Sequence, residues 1–152
     1  MTNYEVEISY PHQDSSSNGL QVETLASEEV LAKFNSMNWN QLLILQLQMQ
    51  TGKTTFTVTN TDSGQSIQIT LNELSNSQQL EFKLESDIQV EGVNKSLFGF
   101  LGFKGKNYVS YRELNLKQTQ AILDHFVTGN IEAIKQQYQS SLNQVSQIAS
   151  RA

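Results

Sequence analysis

The stretch Leu80–Glu91, LEFKLESDIQVE, constrains this chain most. Leu80, Phe82, Leu84, Ile88 and Val90 occupy its even positions, with Ser86 the one polar exception, and Glu81, Lys83, Glu85, Asp87, Gln89 and Glu91 occupy its odd ones. Period-two alternation of this length predicts a strand with one buried and one wet face. Such a strand belongs in an antiparallel sheet that is covered on one side and solvated on the other. Most of its wet positions are carboxylates.

The rest of the chain supplies the sheet and its cover. Tyr4–Tyr10 alternates Tyr4, Val6, Ile8 and Tyr10 against Glu5, Glu7 and Ser9, a first strand with an acidic outer face, and Pro11 ends it. Residues 12–19, HQDSSSNG, read as a flexible polar loop. Thr24 or Ser27 is placed to cap a helix running to about Asn38, with Glu28 and Glu29 in its first turn and Leu25, Val30, Leu31, Phe34 and Met37 as its apolar stripe. Asn38, Trp39 and Asn40 close it. Trp39, the only tryptophan, reads as a packing plug between helix and sheet or as an interface anchor.

From there the period changes to two. Leu42–Gln50 reads as a strand with Leu43, Leu45, Leu47 and Met49 on one face. A turn at Thr51-Gly52-Lys53 leads back into Thr54–Asn60, and a second at Thr61–Gly64 leads into Ser66–Leu71. With Leu80–Glu91 these make an antiparallel meander. Residues 92–106, GVNKSLFGFLGFKGK, contain no acid; they read as a twisted strand or hairpin with bulge-permitting glycines, or as a flap that touches a partner. A last strand at Asn107–Arg112 passes into a helix over Leu114–Thr128, ended by Gly129. A long amphipathic helix from Ile131 to about Ser150 follows, to pack on the sheet or to offer Val145 and Ile148 as a dimer contact. The expectation is a single α+β domain over 1–152: an antiparallel sheet of about five to six strands in the order β-α-β-β-β-β-β-α-α, with the helices on one face.

Charge and chemistry narrow the function. Residues 1–91 hold twelve acids against three bases, and residues 92–152 hold three acids against seven bases, which together give the net charge of −5. The acidic front disfavours nucleic acid as a ligand and points to a basic partner. There is no cysteine, no basic and apolar leader in MTNYEVEISY, and no apolar run long enough to span a bilayer, so a cytoplasmic protein without a membrane partner is expected. The two histidines, His12 and His125, lack the spacing of a metal pair, and no G-x-S-x-G or HExxH occurs. Thr51-Gly52-Lys53-Thr54 matches a phosphate loop only in its last three residues. No catalytic residue, metal or cofactor is expected, and the chain reads as a non-enzyme.

Two stretches, TTFTVTNTDSGQSIQITL and NYVSYRELNLKQTQAILDHFVTGN, together with the order of elements on a small acidic chain, resemble the small immunity proteins of bacterial toxin systems, polymorphic, contact-dependent or type VI. The resemblance implies a tight one-to-one complex with a cognate toxin, acidic side chains meeting a basic active-site surface. On that basis Glu81, Glu85, Asp87 and Glu91 are the expected contact residues, with Trp39, Phe98, Phe100 and Lys104 as rim or anchor contacts. The other readings of the stripe are a merely solvated face, or the surface of a secretion chaperone or adaptor.

Overall fold

The computed structural model of the chain describes residues 2–11, 21–49, 52–72, 79–90 and 107–151. In chain order these form strands β1 (Tyr4–Ser9) and β2 (Gln21–Leu25), helices α1 (Ser27–Ser36) and α2 (Trp39–Met49), strands β3 (Thr55–Asn60), β4 (Ser66–Leu71), β5 (Phe82–Val90) and β6 (Asn107–Leu114), and helices α3 (Leu116–Val127) and α4 (Ile131–Arg151). The described strands make one six-stranded sheet, order β2-β1-β3-β4-β5-β6, with every neighbouring pair antiparallel. This is the α+β class that the alternation predicts.

One parity of each strand builds the core. Val6 stands opposite Val58, Val58 opposite Ile67, and Ile69 opposite Leu84, all buried. Val30 and Phe34 of α1, Trp39, Leu42 and Leu43 of α2, Ile122, Leu123 and Phe126 of α3, and Ile134 of α4 join the same cluster. The described helices therefore cover one face of the sheet. An aromatic knot joins α1 and α2 to it: Phe34 meets Phe56 edge-on at 5.3 Å, Trp39 lies 4.9 Å from Phe34, and Trp39 meets Phe82 edge-on at 5.1 Å.

Three buried polar side chains fasten helices to the sheet or to each other by satisfying backbone groups that helix and strand ends leave open. The Tyr4 hydroxyl donates to the Val127 carbonyl at the end of α3, 2.9 Å away. The Trp39 indole N–H donates to the Phe34 carbonyl of α1 at 3.1 Å. Gln46 of α2 donates its amide N–H to the Leu71 carbonyl at 3.0 Å and accepts the Thr54 N–H at 2.9 Å, clasping the end of β4 to the start of β3.

Two segments differ from the sequence expectation. Leu42–Gln50 is no strand: its described residues lie in α2, whose buried side chains Trp39, Leu42, Leu43 and Gln46 follow the i, i+3, i+4, i+7 spacing of a helix. Leu, Gln and Met are good helix formers, and Ile44 is the one β-branched residue in the helix, so propensity and burial agree. Asn38 caps its start, accepting the Gln41 N–H at 3.2 Å, while its own side-chain amide donates to the Gln41 side-chain oxygen at 3.3 Å. Trp39 thus opens a second helix rather than closing the first. The other difference is β2: Gln21–Leu25 pairs with β1, and α1 begins only at Ser27, where neither Thr24 nor Ser27 serves as N-cap; the Ala26 N–H donates to Glu29 instead.

Gly52 lies so close to the backbone of Pro11 that a Cβ there would overlap the Pro11 carbonyl. The glycine of Thr51-Gly52-Lys53-Thr54 thus answers to chain packing.

Candidate functional site

The other parity of the strands forms a polar face that no described helix covers. Lys83, Glu85, Asp87 and Gln89 are all exposed on β5. Strand register places Val22, Glu7, Thr57, Gln68, Glu85 and Ser110 in one row across all six strands. The next row runs through Thr24, Glu5, Thr59 and Ser66, and the Ser66 N–H donates to Asp87 Oδ1 at 2.8 Å, which fixes that carboxylate at the row's end. Glu5 and Glu7 on β1 stand three strand spacings from Asp87 and Glu85, about 14 Å. Hydroxyl and amide side chains fill the gap. The result is two parallel acidic rows on an open sheet.

The third row, Ser9, Thr55, Thr70 and Lys83, has the opposite sign. Beside it lies a depression of about 380 Å³, lined by Lys53 as well as Lys83 and by Gln46, Leu71 and Glu85.

Alternation along β5 survives an irregularity. Between Glu85 and Gln89 the pairing with β6 slips, so that these two residues face Ser110 and Tyr108. Ser86 sits in the slip: its hydroxyl donates to the Val109 carbonyl at 2.7 Å and accepts the Ile88 N–H at 3.2 Å. An even number of extra residues keeps Glu85, Asp87 and Gln89 on one side. The polar exception in the sequence pattern is the residue that satisfies the bulge.

The structure separates the residues singled out from the sequence. Glu85 and Asp87 are on the open face. Glu81 is half-buried just before β5, its carbonyl accepting the Asn72 N–H at 2.9 Å. Trp39 is only 5% exposed and packs on the helix-covered side, away from both acids. Glu91, Phe98, Phe100 and Lys104 lie outside the described residues, as do the loop 12–19 and the segment 92–106. The side chains of Val145 and Ile148 are likewise outside those described. Glu5 and Glu7 join the surface unannounced: their alternation shows an acidic strand, but only the β1–β3 pairing brings it beside the meander.

Elsewhere, Lys33 of α1 pairs with Glu23 of β2 at 2.9 Å, and that hydrogen bond holds its ammonium above the usual lysine range. Burial, and then the charge of Asp62, raises the Tyr4 phenol. Burial likewise raises Tyr111. Among the described residues no three His, Cys, Asp or Glu side chains are grouped to hold a metal ion. His125, half-buried near the end of α3, has Asn130 as its polar neighbour, 3.4 Å from Nδ1. No helix among the described residues is long and apolar enough to cross a membrane.

Away from the acidic face, α2 turns apolar side chains outward: Ile44 and Leu47 are each 53% exposed and Met49 is 42% exposed. The chain matches no known protein family, no curated protein and no solved structure.

Proposed function

We propose that this protein is an immunity protein, which neutralises a cognate bacterial toxin by covering its active site with the open face of the sheet. The observation that carries the reading is the pair of acidic rows, Glu7 with Glu85 and Glu5 with Asp87, on a face that the described helices leave uncovered. A toxin that acts on a polyanion presents a basic groove. Facing carboxylates steer its approach, raise the association rate and occupy the space of the substrate. The antiparallel sheet holds the backbone of the four residues at fixed spacing, so that binding orders side chains only. The protein then acts as a monomer in a one-to-one complex in the cytoplasm, and needs no cofactor, nucleic acid or membrane.

The test is co-expression with the product of the neighbouring reading frame, comparing the wild type with Glu5→Lys/Glu7→Lys/Glu85→Lys. Asp87 is kept because it bonds the β4 backbone. Protection of the host should be lost, with a slower association whose dependence on salt is weaker. Unchanged protection, affinity and salt dependence would sink the reading.

The exposed Ile44, Leu47 and Met49 of α2 favour a second reading, a secretion chaperone or adaptor that holds a client on that helix. Ile44→Glu/Leu47→Glu separates the two: it abolishes client binding by an adaptor and leaves toxin neutralisation through the sheet intact.

A further inference from the structure

The basic row of the open sheet face serves none of the acidic contacts just described. Lys53 and Lys83 reach into the same depression, both exposed. Among the described residues neither has a carboxylate within ion-pair distance, although Lys33 and Lys135 each have one, and although Glu85 stands two residues from Lys83 on the same face. Two unpaired ammonium groups that share a hollow on a chain of net charge −5 repel each other and gain from a shared counterion. The floor is suited to one. Thr55 and Thr70 are directly opposed in register, with Lys83 next in the row, and Gln68 of the adjoining row also lines the hollow; hydroxyls and an amide thus lie beside the two cations. The wall is fixed, because Gln46 is held at both ends of its amide by the Leu71 carbonyl and the Thr54 N–H.

We infer that this hollow is an anion-binding site that takes a phosphoryl group. Two lysines match the double negative charge of a phosphate monoester, and its three terminal oxygens use more donors than the two oxygens of a carboxylate. Glu85, at the rim, repels any further anionic group and accepts a hydrogen bond from a hydroxyl on the ester. The ligand is therefore a singly phosphorylated, hydroxyl-bearing small molecule rather than a polyanion. The site does not depend on the toxin-binding reading.

The experiment is a titration of the ¹⁵N-labelled full chain with inorganic phosphate at pH 7.5 and low ionic strength, followed by amide chemical shifts. Saturable shifts at Thr55, Gln68, Thr70 and Lys83 with a midpoint in the low millimolar range are expected, as befits a few solvent-exposed ion pairs. Lys53→Gln/Lys83→Gln should raise the midpoint about fivefold or more. Glu85→Gln should lower it about twofold. Malonate, a dianion with planar carboxylates, should bind several-fold more weakly than phosphate. All three substitutions are at exposed side chains, so the unperturbed remainder of the spectrum reports intact folding. Shifts that grow linearly without saturating, a midpoint unmoved in the double lysine variant, or malonate binding as tightly as phosphate each overturns the assignment.

Discussion

The hydroxyl of Ser86 donates to the carbonyl oxygen of Val109 across the slip between β5 and β6, 2.7 Å away. The Ser86 hydroxyl oxygen in turn accepts the Ile88 N–H, so one small side chain replaces two ladder partners that the bulge removes. Ser86→Ala leaves both backbone groups short of a partner and should cost about 1–3 kcal/mol. Ser86→Val, which completes the apolar alternation of the strand, should cost at least as much, because a larger side chain enters the slip and still offers no hydrogen bond. Urea unfolding checks both: the midpoint should fall while the slope stays constant.

Gln46 provides the second measurable clasp. Replacing it with Met keeps the length and the helix propensity but leaves the Thr54 N–H and Leu71 carbonyl without their side-chain partner, a loss of about 2–3 kcal/mol for a doubly bonded buried amide. Native-state hydrogen exchange gives the local signature. The Thr54 amide should lose protection by more than the global change in stability, and amides in the middle of β4 should not.

Asp87 has two separable roles on the open face. Its Oδ1 holds the Ser66 N–H at 2.8 Å, and its charge belongs to the acidic row. Asp87→Asn keeps an acceptor at that place and should leave stability within about 0.5 kcal/mol, whereas Asp87→Ala should lose about 1 kcal/mol. The same pair, assayed for toxin protection, isolates charge from structure: a role for the charge weakens protection in both variants.

Tyr4 sets an alkaline limit. Burial, with the charge of Asp62, raises its phenol in the folded protein, so the folded state holds that proton more tightly than the unfolded chain does. A group with a raised folded pKa contributes stability that is fully present below its unfolded value, near 10.0 for tyrosine, and is lost as pH climbs through the higher folded value. Tyr111 is shifted the same way and adds to the loss. Unfolding free energy should thus decline above about pH 10, with phenolate absorbance lagging behind that of a free tyrosine. Tyr4→Phe should show a shallower decline, together with a lower stability at neutral pH of about 1 kcal/mol from the donor lost to the Val127 carbonyl.

What the sequence disclosed follows from how local each cause is. The alternations of Tyr4–Ser9, Thr55–Asn60, Ser66–Leu71 and Phe82–Val90 each encode burial against a common cover, and they appear as strands with the expected face inward. In Leu42–Met49 apolar residues occupy both parities, so periods of two and of 3.6 fit almost equally; the deciding signal was the Asn38 cap just upstream, bonded to the Gln41 N–H. Strand β2 is five residues long and is defined by its partner more than by its own pattern. Of the candidate surface, Glu85 and Asp87 were readable because parity within one strand determines their direction. Glu5 and Glu7 required knowledge of which strands adjoin, and the burial of Trp39 required knowledge of which rings it meets.

The Tyr4 hydroxyl and its acceptor on Val127 are 123 residues apart. On a ribosome adding residues at about 5–20 per second, the first strand waits roughly 6–25 s for that acceptor to exist. Strands β1 to β6 and the helices α1 and α2 all precede it in the chain, whereas α3, which contains it, and α4 come after them. During synthesis the apolar side of the sheet that α3 and α4 will cover is thus the last to be shielded, while the side bearing the carboxylates is wet from the outset. A nascent chain halted before Val127 should therefore be a good client for chaperones that recognise apolar strands, and release from them should coincide with the emergence of α3.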